Sequence, residues 1–114
     1  MAYIIIISLL IGIVIGFILP INIPSTYVSY LSVALLAALD SVFGGIRASI
    51  EEKFDNLIFI TGFFGNAILA GSLAYMGDVL GVPIYLAAIF VFGSRLFVNF
   101  AYIRRYLIDK MRRR

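Results

Sequence analysis

Two charged residues and two carboxamides interrupt the otherwise apolar runs of this chain: Asp40, Arg95, Asn66 and Asn99. A carboxylate, a guanidinium and two carboxamides can pair with one another, pass an ion, or fix how helices register. The chain has no cysteine and no histidine. Disulfides, thiol chemistry and ordinary zinc or haem ligation are thereby excluded, as is the usual proton shuttle at neutral pH. No Ser/His or Cys/His arrangement can be built, and no glycine-rich loop precedes a Lys-Ser/Thr pair. Gly44-Gly45-Ile46-Arg47 is too short a fragment to signify phosphate binding. Glu51, Glu52 and Asp55 read as a charged loop face before they read as an active site. Neither catalysis nor a cofactor nor a metal is expected.

What surrounds those four residues decides their meaning. Hydrophobic residues make up 63% of the 114-residue chain and charged residues 13%, against about 45–50% and about 25% in a water-soluble domain. Four apolar stretches, 3–19, 27–46, 57–76 and 83–103, account for most of the length. The first, at ~1.5 Å per residue, reaches about 26 Å, just enough for the hydrocarbon core of a bilayer. The expected fold is therefore all-α: an integral membrane bundle of four transmembrane helices forming one membrane domain over 1–114. Pro20 ends the first helix, Pro24 keeps 21–26 out of helix, and Ser25 or Thr26 can cap the second. Gly77, Gly81 and Pro83 mark a short turn. Residues 47–56 form a polar loop in which Ile46, Ile50 and Phe54 recur every four residues, a period suited to a helical extension or an interfacial turn. No basic residue precedes Ile4–Leu10 and no small-x-small site precedes Pro20, so the first stretch is expected to be retained and not cleaved as a signal peptide.

Basic residues set the orientation. Arg104, Arg105, Lys110, Arg112, Arg113 and Arg114 all follow the last apolar stretch. With four crossings, the tail, the amino terminus and the 47–56 loop share one side. That side holds eight of the nine Lys/Arg residues, and 20–26 and 77–82 hold none. Both termini are expected to be cytoplasmic in a multi-pass plasma-membrane protein. Ile103, Leu107 and Met111 give the 104–114 tail an apolar stripe between basic flanks. It suits an amphipathic extension on anionic lipid headgroups, with docking to an acidic cytoplasmic partner as the alternative. Nucleic acid is not an expected partner.

Depth relates the intramembrane residues. Asp40 precedes Arg47 by seven residues, about 10 Å of helix, while Arg95 precedes Arg104 by nine and Asn66 follows Leu57 by nine, about 13 Å each. These distances place Asp40, Asn66 and Arg95 in one layer. A charge at such depth costs ~2.5–3.5 kcal/mol on insertion scales unless partnered. An Asp40–Arg95 ion pair is the expected solution, with Asn66 or Asn99 completing its hydrogen bonds, within one chain or across a dimer. Such a layer acts as glue that fixes helix register or, alternatively, lines an ion or substrate path.

Small residues at fourfold spacing form stripes that let helix backbones touch. Ser8, Gly12 and Gly16 form one in the first helix; Ala37, Ser41 and Gly45, beside Gly44, another in the second; Gly62, Asn66 and Ala70 a third. They serve packing within the subunit or a self-association surface, and a homo-oligomer is expected. Phe63, Phe64, Phe90, Phe92, Phe97 and Phe100 suit core packing or lipid contact better than a pore lining.

The run from Tyr30 through Asp40 and Gly44-Gly45-Ile46-Arg47 to Ala48 resembles the bacterial small basic protein family. So do Gly62-Phe63-Phe64-Gly65-Asn66, Phe92-Gly93-Ser94-Arg95-Leu96-Phe97, Ile103-Arg104-Arg105 and the Ile23-Pro24-Ser25 turn. The resemblance covers nearly the whole chain. It implies an integral plasma-membrane protein linked to cell division or envelope assembly, and it carries over no activity and no catalytic residue. The favoured function is a non-enzymatic membrane scaffold or accessory subunit holding division or envelope proteins. The alternative is a small oligomeric ion channel or transporter that uses the Asp/Asn/Arg layer. Small multidrug exporters place a key acid in the first helix, which has none here, and dual-topology fluoride channels lack the strong charge bias seen here.

Overall fold

The structure, a computed structural model, describes residues 2–113. Four helices follow one another: α1 (Ala2–Ile18), α2 (Ser25–Ile50), α3 (Asn56–Leu80) and α4 (Tyr85–Arg112). Three of them, α2, α3 and α4, are long and apolar enough to cross a membrane; α1 is a shorter apolar helix of 17 residues.

Each terminus has a local cause. Pro24 occupies the N-cap of α2 and no side chain caps that end, so neither Ser25 nor Thr26 takes the capping role read from the sequence. The polar loop is shorter than hydropathy suggests, because α2 continues through Arg47 to Ile50. The helix then closes with the Lys53 N–H donating back to the Ala48 carbonyl at 2.8 Å, while Glu52 adopts φ 60°. This is the Schellman arrangement, in which the residue after the helix turns left-handed. The same device closes α3, where Gly81 sits at φ 74° and the Val82 N–H donates to the Gly77 carbonyl at 2.9 Å. Asp55 caps α3, its Oδ1 accepting from the Leu57 and Ile58 N–H groups at 2.9 and 3.1 Å. That satisfies two of the four free donors at a helix start.

The bundle is organised around α2, which packs against all three other helices. Helix α1 touches α2 alone, and α3 and α4 meet each other only slightly. Two apolar clusters lie at different heights. Val33, Ala37, Ala70, Ala74, Ala88 and Phe92 are buried together toward the end that carries the two proline turns. Val42, Ile46 and Ile103 are buried toward the 51–55 loop, with Ile5 and Leu9 of α1 and Phe43 and Phe63 packed on them. The first cluster is mostly alanine, so it holds by close backbone approach more than by side-chain volume. Gly71 continues this fit, since a Cβ there would lie 3.7 Å from the Ala34 Cβ and from the Tyr30 carbonyl oxygen. At Gly45 the α2–α3 crossing is tighter, and an added Cβ would meet the Phe59 ring at 2.7 Å. Of the aromatic residues, Phe92 is core, while Phe90 and Phe97 face outward.

Candidate functional site

Asp40 lies between the two apolar clusters and is completely buried. Its Oδ2 is 3.4 Å from Nη2 of Arg95. This is ion-pair contact, longer than the ~2.7–2.9 Å of a formed charge-assisted hydrogen bond. Neither carboxylate oxygen accepts a hydrogen bond from the described residues. The partners are unequal, because the Arg95 side chain is 56% exposed. Asp40 comes from the central helix and has no exposed surface, whereas α4 lies at the periphery and presents Arg95 along the seam.

The two asparagines do not complete this pair. Asn66 instead donates from Nδ2 to the Ser41 hydroxyl at 3.4 Å. Asn99 accepts from Nη1 of Arg47 at 3.2 Å. The geometry is simple: Asn99 is one helical turn beyond Arg95, so it stands beside Gly44 and not Asp40, within reach of the long Arg47 side chain from the next turn of α2. Asn66 shares the level of Asp40 but faces the neighbouring position on α2. A cavity of about 350 Å³ brings Asp40, Ser41, Asn66 and Arg95 together and reaches Lys53 and Asp55 in the loop. Its size leaves room for water beside these polar side chains, although most of the wall is apolar. Gly44, Gly45 and Gly62 form parts of its wall. In the other direction the layer abuts the Val33–Phe92 cluster, which is tightly packed and apolar.

Hydropathy leaves three features of the site unseen. Arg47 is held on several sides: its guanidinium carbon lies 4.4 Å from the centre of the Tyr102 ring, Nε lies 3.8 Å from Glu51, and Nη1 donates to Asn99. The pairing of 47 with 51 follows i,i+4 spacing and was legible once α2 was extended; the link to Tyr102 has no sequence signal. At the opposite end, the Tyr30 hydroxyl donates to Asp78 at 2.5 Å, and the Tyr30 and Tyr75 rings meet edge to face with centroids 5.9 Å apart. This ties α2 to the end of α3 across 48 residues of sequence.

The small-residue stripes divide in two. Ala37 and Gly45 are buried in helix contacts. Ser8, Gly12 and Gly16 instead line an apolar groove of about 750 Å³ between α1 and α3, where a Cβ added at Gly12 or Gly16 meets nothing within 4 Å. Gly62 is likewise open, and Gly44 looks toward the Asn99 side chain at 3.6 Å. In the tail, Arg104, Arg105, Lys110, Arg112 and Arg113 are exposed, with Lys110 placed 5.9 Å over the Tyr106 ring. Arg114 lies outside the described residues.

Residues 23–108 match a family described as a protein of unknown function (DUF1290). The chain belongs to that family. It is 53% identical over 105 residues to the "Small basic protein" of Bacillus subtilis (strain 168), covering 92% of this chain and 87% of the relative. It is 43% identical over 102 residues to "Uncharacterized protein Rv1824" of Mycobacterium tuberculosis (strain ATCC 25618 / H37Rv), covering 88% and 84%. The same figures hold for "Uncharacterized protein Mb1855" of Mycobacterium bovis. No solved structure matches the chain. Membership fits the resemblance carried by the Asp40, Asn66 and Arg95 motifs, and the family description assigns no role to any of them.

Proposed function

We propose that this family member is a non-enzymatic scaffold or accessory subunit embedded in the plasma membrane, with the tail and the 51–55 loop on the cytoplasmic side. The observation that carries this reading is the dead end above Asp40. The cavity beside Asp40 extends to the 51–55 loop, where Lys53 and Asp55 line it, and takes no lining residue from the apolar Val33–Phe92 cluster on the other side. A conducting subunit needs a polar route from face to face; a lock between helices needs only a buried, partnered charge. Asp40 and Arg95 accordingly clamp the peripheral helix α4 onto the hub α2.

The scaffold role draws on what remains outward. Helix α1 uses one neighbour, and its glycine stripe borders an open apolar groove. Close-approach stripes of this type are docking faces for further transmembrane helices, of a second copy or of another membrane protein. The orientation draws on charge: Arg47, Lys53 and the tail cluster lie at one end, while 19–26 and 77–84 hold no basic residue and one acid, Asp78. The link to division or envelope proteins rests on the family resemblance.

The test uses a photoreactive residue at Ile13, in the groove wall. In living cells it is expected to crosslink one membrane polypeptide of fixed mass, identifiable as a division or envelope component, whereas the same residue at Phe97 on α4 captures none. Crosslinks to lipid alone, or equal capture from both positions, contradict the accessory role.

A further inference from the structure

Helix α4 turns one side of its basic end toward α2. Arg95, Val98, Tyr102 and Arg105 fall at i, i+3, i+7 and i+10, a single helical face. Opposite them on α2 stand Gly44 and Arg47. Two adjoining hollows follow this seam. The deeper, of about 370 Å³, is lined by Gly44, Arg47, Ser94, Arg95, Val98 and Asn99. The shallower, of about 290 Å³, shares Arg47 and Val98 and adds Ala101, Tyr102 and Arg105.

The lining is rich in donors. It contains three guanidiniums, the hydroxyls of Ser94 and Tyr102 and a carboxamide, and among the described residues no carboxylate lines either hollow. Two acids stand beside it: Glu51, 3.8 Å from Nε of Arg47, and Asp40, 3.4 Å from Nη2 of Arg95. Each takes one edge of its guanidinium, and a guanidinium carries five N–H groups. Arg47 is held in advance, its guanidinium carbon 4.4 Å from the centre of the Tyr102 ring and Nη1 bonded to Asn99. That arrangement also turns the Asn99 oxygen to Arg47 and leaves its amide nitrogen as a donor. A planar, immobilised guanidinium is suited to bidentate recognition of phosphate oxygens. Arg95 lies two to three turns deeper than Arg105, about 15 Å along the helix, with exposed Val98 between them.

We propose that this seam holds the headgroup of one anionic phospholipid. The phosphodiester sits between Arg47 and Arg105, at the level of the bilayer surface. The ester carbonyls below it accept from Asn99 and Arg95, and the acyl chains run along the exposed valines Val98 and Val91 of α4. A free phosphate or nucleotide would use the upper guanidiniums and leave Arg95 and the apolar wall without a role. The site differs from diffuse attraction of the tail to a charged surface, because its members lie on two helices and do not include Arg112 or Arg113. It rests on the bilayer placement proposed above, and not on the docking role.

The full-length protein is reconstituted in phosphatidylcholine nanodiscs containing a fixed minority of phosphatidylglycerol, and retained lipid is counted by native mass spectrometry after release. The wild type is expected to keep one phosphatidylglycerol. Arg105→Gln, an exposed position that leaves folding intact, and Arg47→Lys, which keeps the charge, are each expected to lower retention at least fivefold. The double variant Arg112→Gln/Arg113→Gln, which removes more charge, is expected to leave it unchanged. Millimolar inorganic phosphate and deacylated glycerophosphoglycerol are expected to displace nothing. Equal loss in the tail variant, retention of phosphatidylcholine as well as phosphatidylglycerol, or displacement by either soluble anion overturns the site. Failure of the chain to enter nanodiscs removes the bilayer placement and this site together; entry without headgroup preference removes the site alone.

Discussion

Replacing Arg95 by leucine is expected to destabilise the folded chain by about 3–5 kcal/mol, and replacing Asp40 by leucine in the same molecule to return most of that loss. Asp40 is completely buried, and Arg95 is its one charged partner within 4 Å among the described residues. Removing the guanidinium leaves a carboxylate in the bundle centre with two unpartnered oxygens. Removing both charges leaves the neutral Asn66–Ser41 pair as the polar part of that layer. The two single changes are expected to be unequal. Asp40→Leu is the milder, because the 56%-exposed Arg95 side chain can turn along the α2–α4 seam toward the surface, as long cationic side chains do. Denaturant titration of the purified protein in mild detergent, followed by helical circular dichroism, measures all three variants. Charge reversal supplies an independent arm: Asp40→Arg and Arg95→Asp each impair assembly, and the exchanged pair restores part of it. Absence of rescue in both arms contradicts the lock.

The second large effect is expected at Gly77, where alanine should cost about 2–3 kcal/mol by overpacking. A Cβ at this position would lie 2.5 Å from the Val82 carbonyl oxygen and 3.1 Å from the Ile84 nitrogen. Both are backbone atoms of the turn that the Gly81 left-handed cap folds back over α3, so no rotamer change relieves the contact. At Gly45, by comparison, the obstacle is the Phe59 ring, which can swing aside. Gly65 is the matched control: its added Cβ meets nothing within 4 Å, and alanine there is expected to be neutral or to stabilise α3 by up to about 1 kcal/mol through helix propensity. Thermal unfolding of the two variants side by side separates a steric effect at the turn from a general intolerance of the helix to alanine.

The four helices were legible because each is a long, mostly apolar run bounded by proline, glycine or charge. Their ends were less so. Hydropathy marks where the surroundings change, whereas the backbone ladder runs on: Arg47–Ile50, Gly77–Leu80 and Arg104–Arg112 are helical although hydropathy assigned them to loops or tail. The 103–107–111 stripe foreshadowed the last of these. Helical rise brought Asp40 and Arg95 to one height, because rise depends only on counting residues. Azimuth does not, and the hydrogen-bond partners of Asn66 and Asn99 turn on azimuth. Counting one more turn from Arg95 could have removed Asn99 from the level of Asp40 and placed it beside Gly44; the pairing of Asn66 with Ser41 could not have been counted. The contact of Arg47 with Tyr102 and that of Tyr30 with Asp78 each join residues about 50 positions apart and depend on which helices are neighbours. Likewise, three glycine-bearing stripes look alike in sequence, yet α2 buries its own while α1 leaves Gly12 and Gly16 facing a groove.

Flux through the purified protein in liposomes tests most directly whether the polar layer locks helices or carries ions. The sealed cluster above Asp40 predicts that vesicles containing the wild type leak monovalent cations, protons and anions no faster than empty vesicles, and that Asp40→Asn changes nothing. Selective flux through the wild type that disappears in Asp40→Asn would contradict the lock and make the same carboxylate part of a conduction path.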